Sequence, residues 1–151
     1  MKNYINHAER VKILRDRLIK GLDYINISEI QPHEEVIKER KEQLIKYLGT
    51  SLDQITIPSI VVDDKSNTII DGHHRFHALK ELGYSMVPIT KIDYFNNSII
   101  THYNPNLSFS KEEIVSSANR KELLNPKSTI HQIRYKNHSY PIIILSSIIV
   151  I

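Results

Sequence analysis

The sequence predicts an α+β fold, a mixed sheet flanked by helices. Three observations predict it. Apolar residues recur at helical spacing in separate stretches such as Val11, Leu14, Leu18 and Leu22. Short β-branched runs, Ile57 to Val62 and Thr68 to Ile70 among them, lie between those stretches. Those two runs are separated only by the polar residues Asp63 to Asn67, which makes a hairpin rather than a crossover. Helices and strands that interleave with hairpins among them belong to the α+β class.

Length and composition narrow the reading. At 151 residues and 17.6 kDa the chain has room for one domain, expected over residues 1–151. Within it we expect an N-terminal helix over 1–23, a motif-bearing core over 24–131 and strands over 132–151. A chain that is 40% hydrophobic and 25% charged is neither disordered nor fibrous. It contains no cysteine, which removes disulfides, thiolate metal sites and cysteine nucleophiles together. The first residues hold no apolar core of a secretory signal, and the apolar run PIIILSSIIVI is too short for a membrane helix. A cytoplasmic protein is expected. The net charge of +3 is carried by Lys and Arg mixed with Glu, as in EEVIKERKEQLIKYL. That mixing describes a solvated helix face, not a nucleic-acid groove.

The elements follow in order. A helix is predicted over Ala8 to Leu22, closed by Gly21 and Asp23, and then a short strand over Tyr24 to Ile30. A second helix is predicted from Glu34 to Leu48, entered after Pro32 and stopped by Gly49. The hairpin follows, and DGHHR leads into a third helix over Phe76 to Leu82, ended by Gly83. Met86 to Ile92 and Ser98 to Tyr103 read as strands. Ser110, with Glu113 three residues on, opens a last helix that runs to Leu124. Gln132 to Tyr135 and Tyr140 to Ile151 complete the set as strands.

The densest polar cluster is Asp71-Gly72-His73-His74-Arg75, where a strand gives way to a helix. The N–H groups and positive dipole end of a helix N-terminus favour an anion, phosphate above all. Gly72 lets backbone approach such a ligand, Arg75 offers a planar fork to phosphate oxygens, and Asp71 is an oxygen ligand suited to Mg²⁺. The plain alternative is that Asp71 caps the helix and the histidines are surface groups. A zinc edge from His73 and His77, four residues apart, is a further alternative. Pro32-His33-Glu34 supplies a carboxylate that is either a general base or a first-turn helix residue. Pro126 to His131 gathers Lys127, Ser128, Thr129 and His131, a phosphate- or carboxylate-binding loop or a surface turn.

The string VVDDKSNTIIDGHHRFHALKELGYSMVPI resembles the core of the ParB/sulfiredoxin-like superfamily. With PHE upstream and PKSTIH downstream, it is similar to the free L-serine kinases of that superfamily, which make O-phospho-L-serine. Sulfiredoxin chemistry itself needs a cysteine. The resemblance implies a ParB/sulfiredoxin-like kinase domain using ATP or ADP with Mg²⁺. Glu34 would be the base for the serine hydroxyl and Asp71 a second catalytic or Mg²⁺-organising carboxylate. Gly72, His73, His74 and Arg75 would hold the nucleotide phosphates. His102, Lys127, Ser128, Thr129 and His131 would line the serine side. Two positions depart from the family pattern. The downstream motif commonly reads KTTRH, and Ile130 stands here in place of its arginine. His102 stands where relatives carry a tryptophan. The expected partner is a small hydroxy amino acid, with neither membrane nor nucleic acid. The alternative reading is a ParB-like nucleotide switch or DNA-associated regulator or nuclease.

Overall fold

The computed structural model describes residues 6–50, 54–102, 109–127 and 129–151. Four strands form the central mixed sheet, in the order β1-β5-β3-β4, from β1 (Ile19–Asn26), β3 (Ile60–Asp63), β4 (Ile69–Asp71) and β5 (Met86–Ile92). β5 runs antiparallel to β1 and parallel to β3, and β3 turns back into β4 as an antiparallel hairpin. A three-stranded antiparallel sheet holds β6 (Ile99–His102), β7 (Ile130–Tyr135) and β8 (His138–Pro141). β2 (Thr56–Pro58) pairs with β9 (Ile148–Val150).

The helices are α1 (His7–Leu18), α2 (Lys38–Leu48), α3 (His73–Glu81) and α4 (Lys111–Asn119). The central sheet is covered on both faces, which is why β3 reads as an unbroken apolar run rather than an alternating one. Ile60 and Val62 pack with Phe76 and Leu79 of α3 and Leu48 of α2. Val61, on the opposite face, packs with Leu14 and Leu18 of α1 and with Ile99 and Ile133 of the second sheet. The Lys38–Glu42 ion pair lies along the expected solvated face of α2, and Lys41–Glu81 joins α2 to the end of α3.

Several boundaries differ from expectation. α1 stops at Leu18 because residues 19–26 pair with β5, and Leu22, placed in the helix by its periodicity, lies on the strand 57% exposed. Sheet pairing there outweighs helical spacing. β1 ends at Asn26, whose side chain accepts from Ser28 N–H to cap a 3-10 turn over Ile27–Glu29. α2 begins at Lys38 rather than Glu34, since two isolated bridges, Gln31 with Thr68 and Glu34 with Leu124, hold the preceding chain extended. α3 begins three residues earlier than expected, at His73. α4 is capped by Ser110 as expected but ends at Asn119, followed by Lys121 at φ +57. The expected strand at 57–62 is broken at Ser59, whose N–H turns to the Ser147 carbonyl at 2.8 Å. The C-terminal run is divided by a 3-10 turn over Ile142–Leu145. Tyr103, the expected end of β6, lies outside the described residues.

Candidate active site

Asp71 is the last residue of β4, and Gly72 is the N-cap of α3 at φ +114, ψ 26. That left-handed conformation favours glycine, and Arg75 approaches closely over it. A Cβ on Gly72 would lie 2.9 Å from Arg75 Nη2. No side chain caps α3, so its first-turn N–H groups, those of His73, His74 and Arg75, are available to an anion. Arg75 folds back over this turn, where Nη2 donates to Asp71 Oδ2 at 3.1 Å and to the Ser59 carbonyl at 3.2 Å.

Glu34 reaches the same place from the extended segment before α2. Leu124 N–H donates to the His33 carbonyl and Glu35 N–H to the Leu124 carbonyl, each at 2.8 Å, tying this segment to the loop that enters β7. Glu34 Oε1 accepts from Lys127 N–H at 2.6 Å, and Oε2 accepts from the Thr129 hydroxyl at 2.7 Å and N–H at 3.3 Å. Burial raises the Glu34 pKa above the ordinary carboxyl value, and these donors together with the Lys127 charge oppose the rise. Glu34, Asp71, Gly72, His73, His74, Arg75, Lys127 and Thr129 line one polar cleft of about 180 Å³.

The imidazoles are spoken for on one side. His73 Nε2 accepts from His33 N–H and His74 Nε2 from Ile37 N–H, both at 3.1 Å, so each ring carries its proton on Nδ1. Burial, joined by the charges of neighbouring histidines, holds His73 well below the usual imidazole range. Burial also lowers His74, with Lys127 and Arg40 adding to the effect. The zinc alternative finds no arrangement here, because His73 turns inward against the His33 ring, 4.5 Å between centroids.

Among the described residues no three His, Asp or Glu side chains gather into a self-sufficient metal site. Asp71, with one oxygen on Arg75, is a donor set that fits Mg²⁺ arriving with phosphate oxygens, the usual way that ion is held by proteins.

The other residues singled out in the sequence lie elsewhere. His131 is buried behind the cleft, its Nε2 2.8 Å from the Tyr94 hydroxyl, and burial pulls its pKa down to about 3. Only the backbone of His102 is described, the last residue of β6 and opposite Ile130. Ser128 lies outside the described residues. Two residues beneath the cleft were not among the candidates. His33 is fully buried between His73 and His131, and Tyr94 closes the row against His131. His33 was legible within PHE; nothing near Tyr94 in the sequence marks it.

A second, more apolar cavity of about 610 Å³ is lined in part by Pro32, Phe76 and His77.

No protein-family model matches the chain. It is 34% identical over 77 residues to an ATP-dependent L-serine kinase of Staphylothermus marinus, a match over 50% of this chain and 31% of that protein. It is 35% identical over 78 residues to a ParB-like protein of Sulfolobus acidocaldarius, covering 52% and 38%. It is 28% identical over 85 residues to an ADP-dependent L-serine kinase of Thermococcus kodakarensis, covering 53% and 35%. The matches thus span about a third of the length of these curated relatives. Among solved structures, a free serine kinase variant in complex with AMP superposes with a TM-score of 0.65 at 13% identity, covering 80% of this chain and 91% of that one. A free serine kinase variant in complex with ADP gives a TM-score of 0.64 at 14% identity over the same 80% and 91%. The chain therefore has the ParB/sulfiredoxin-like fold of the free serine kinases, and about half of it is similar in sequence to L-serine kinases.

Proposed function

We propose that this chain is a nucleotide-dependent kinase that phosphorylates the hydroxyl of free L-serine to O-phospho-L-serine. One observation carries the reading: an ionisable carboxylate, Glu34, and an uncapped helix N-terminus suited to phosphate line the same small cleft. Phosphoryl transfer asks a protein for positioning, charge neutralisation and a base, rather than for a covalent nucleophile. Similarity to ATP-dependent and ADP-dependent L-serine kinases supports the choice of reaction and leaves either nucleotide as donor.

In this reading the terminal phosphate of ATP or ADP rests on the N–H groups of His73, His74 and Arg75, with the Lys127 charge opposite. The serine hydroxyl oxygen attacks the terminal phosphorus, its proton passes to Glu34, and the bridging P–O bond breaks to release ADP or AMP. A cleft of about 180 Å³ suits the reacting groups, so the nucleoside extends beyond it. Asp71 would hold Mg²⁺ through a carboxylate oxygen, and the ion would supply neutralising charge to the phosphates. Thr129 and Lys127, which line the cleft beside Glu34, would face the serine side; His102 and Ser128 are assigned to that side by the resemblance alone. A nucleotide-consuming enzyme of this kind would work in the cytoplasm.

The test is a turnover assay with Mg²⁺, L-serine and either nucleotide, following O-phosphoserine by mass spectrometry. Product is expected with at least one donor. Glu34→Gln keeps the shape, removes the base, and should lower turnover roughly 10²-fold or more with little change in nucleotide affinity. Absence of product with both donors overturns the reading. The ParB-like alternative, to which the Sulfolobus acidocaldarius similarity lends weight, predicts retention on duplex DNA that weakens steeply with salt.

A further inference from the structure

Beneath the cleft, His33 is 0% exposed, and its Nε2 lies 3.0 Å from Thr129 Oγ1. Thr129 Oγ1 in turn lies 2.7 Å from Glu34 Oε2. A hydroxyl has one proton to give, so a proton donated to Glu34 leaves the threonine oxygen as an acceptor. His33 must then be the donor, with its proton on Nε2. The reverse arrangement has Glu34 protonated and Thr129 donating to His33, whose proton would sit on Nδ1. Nδ1 has no hydrogen bond of ordinary geometry and meets only the weak pull of the Ile69 backbone. A buried N–H without a well-formed partner is costlier than a lone pair so placed, so the first arrangement is favoured.

We propose that His33 is a positioning residue: as a neutral imidazole it donates from Nε2 to Thr129 Oγ1 and thereby fixes the threonine proton on Glu34 Oε2. The inference rests on the proposed reaction only in giving Glu34 the part of base. His33 touches no reactant. Its contribution is to keep the base ionised and pointed. Burial, against a weaker opposing pull from the Ile69 backbone, lowers the His33 pKa to about 4, which keeps the ring neutral at working pH. The charged and titratable groups around Glu34 are His33 on its own segment, Lys127 and His131 from the β7 side, Asp71 from β4, and His73, His74 and Arg75 from α3. None of these changes in the variants below except His33.

The experiment reads the Glu34 carboxyl by ¹³C NMR titration of the resting protein, beside the pH profile of kcat/KM for serine phosphorylation. His33→Leu removes the donor and should move the Glu34 titration and the acid limb of the profile upward by about one pH unit. His33→Gln, whose amide nitrogen stands where Nε2 stood, should restore most of the shift. Thr129→Val should shift the titration by itself, and adding His33→Leu to it should shift it no further. Equal shifts with and without Thr129, or no shift with His33→Leu, would overturn the proposal. If His33→Leu does not fold, His33→Met, which also lacks the donor, takes its place in the same cycle with Thr129→Val, because only coupled residues give non-additive shifts. Absence of serine phosphorylation in the wild type, with the coupled shifts intact, would remove the kinase reading and leave the positioning role standing.

Discussion

The Glu34 carboxylate and the Lys127 backbone N–H, 93 positions apart in sequence, meet in a hydrogen bond of 2.6 Å. The pairing of Glu34 with Leu124 sets that contact, since it lays the segment before α2 beside the loop that enters β7. Glu34 and the loop that carries Lys127 and Thr129 are thus held by backbone hydrogen bonds on both flanks. Two loops fixed to each other in this way keep a carboxylate in place without a helix to carry it.

Gly72 is where the turn proposed to bind phosphate is most sensitive. Gly72→Ala puts a Cβ at φ +114 and within 2.9 Å of the Arg75 guanidinium. Backbone strain of this kind costs about 1–3 kcal/mol. We expect a lower urea midpoint together with weaker nucleotide binding, as Arg75 is displaced from Asp71. Unchanged stability would mean that the turn relaxes at no cost.

Asp71→Asn separates charge from shape. The amide oxygen can still accept from Arg75 Nη2, now at 3.1 Å from Asp71 Oδ2, so the α3 turn should persist. The anionic ligand for a divalent cation is lost. Turnover should fall about 10²-fold or more while the thermal midpoint stays near that of the wild type. Full activity would take Asp71 out of the mechanism.

The parts of the fold legible in sequence are those set locally. Met86 to Ile92 is the strand its apolar, β-branched run predicts, and Ser110 caps α4 through Glu113 N–H at 3.1 Å. Strand-end Asp71 and the anion-ready turn after it were readable because Gly72 and Arg75 act within four residues of each other. Glu34 was found by its motif but placed on the wrong element. Its extended conformation depends on Leu124, and the late start of α2 on contacts with Thr68 and His74, none of them nearby in sequence. His131 and Tyr94 illustrate the same limit. Their 2.8 Å contact, which turns an expected substrate ligand into a buried group, exists only once β7 lies against the chain after β5.

Ile130 is the position at which resemblance and this sequence part. It is 52% exposed at the start of β7, opposite His102 in the β6–β7 ladder. An arginine there can be accommodated without disturbing the core, so stability should change by no more than about 0.5 kcal/mol. Its guanidinium would supply a bidentate contact for a carboxylate or phosphate. Ile130→Arg should therefore lower KM for serine severalfold with kcat little altered. An unchanged KM would show that this loop recognises its acceptor by other groups.

The buried histidines make an acid-labile fold. His33 and His131 are lowered to about 4 and about 3, and His73 well below its ordinary value, all chiefly by burial. Unfolding returns each to its ordinary pKa of 6.5, so below that pH the unfolded chain binds protons that the folded chain refuses. Stability then falls as pH falls, from about 6.5 down to the folded values, at up to about 1.4 kcal/mol per pH unit for each histidine. Glu34, raised by burial, acts in the opposite direction, because its folded form takes up a proton before its unfolded form does. It is one group against five, since burial lowers His74 and His77 as well. Urea midpoints should hold steady from pH 8 to about 7 and drop steeply between about 6 and 4.5, and His131→Asn should flatten that drop. A midpoint that stays level to pH 4.5 would mean that the three rings already carry their protons in the folded protein, which their hydrogen bonds to His33 N–H, Thr129 Oγ1 and Tyr94 could not all survive.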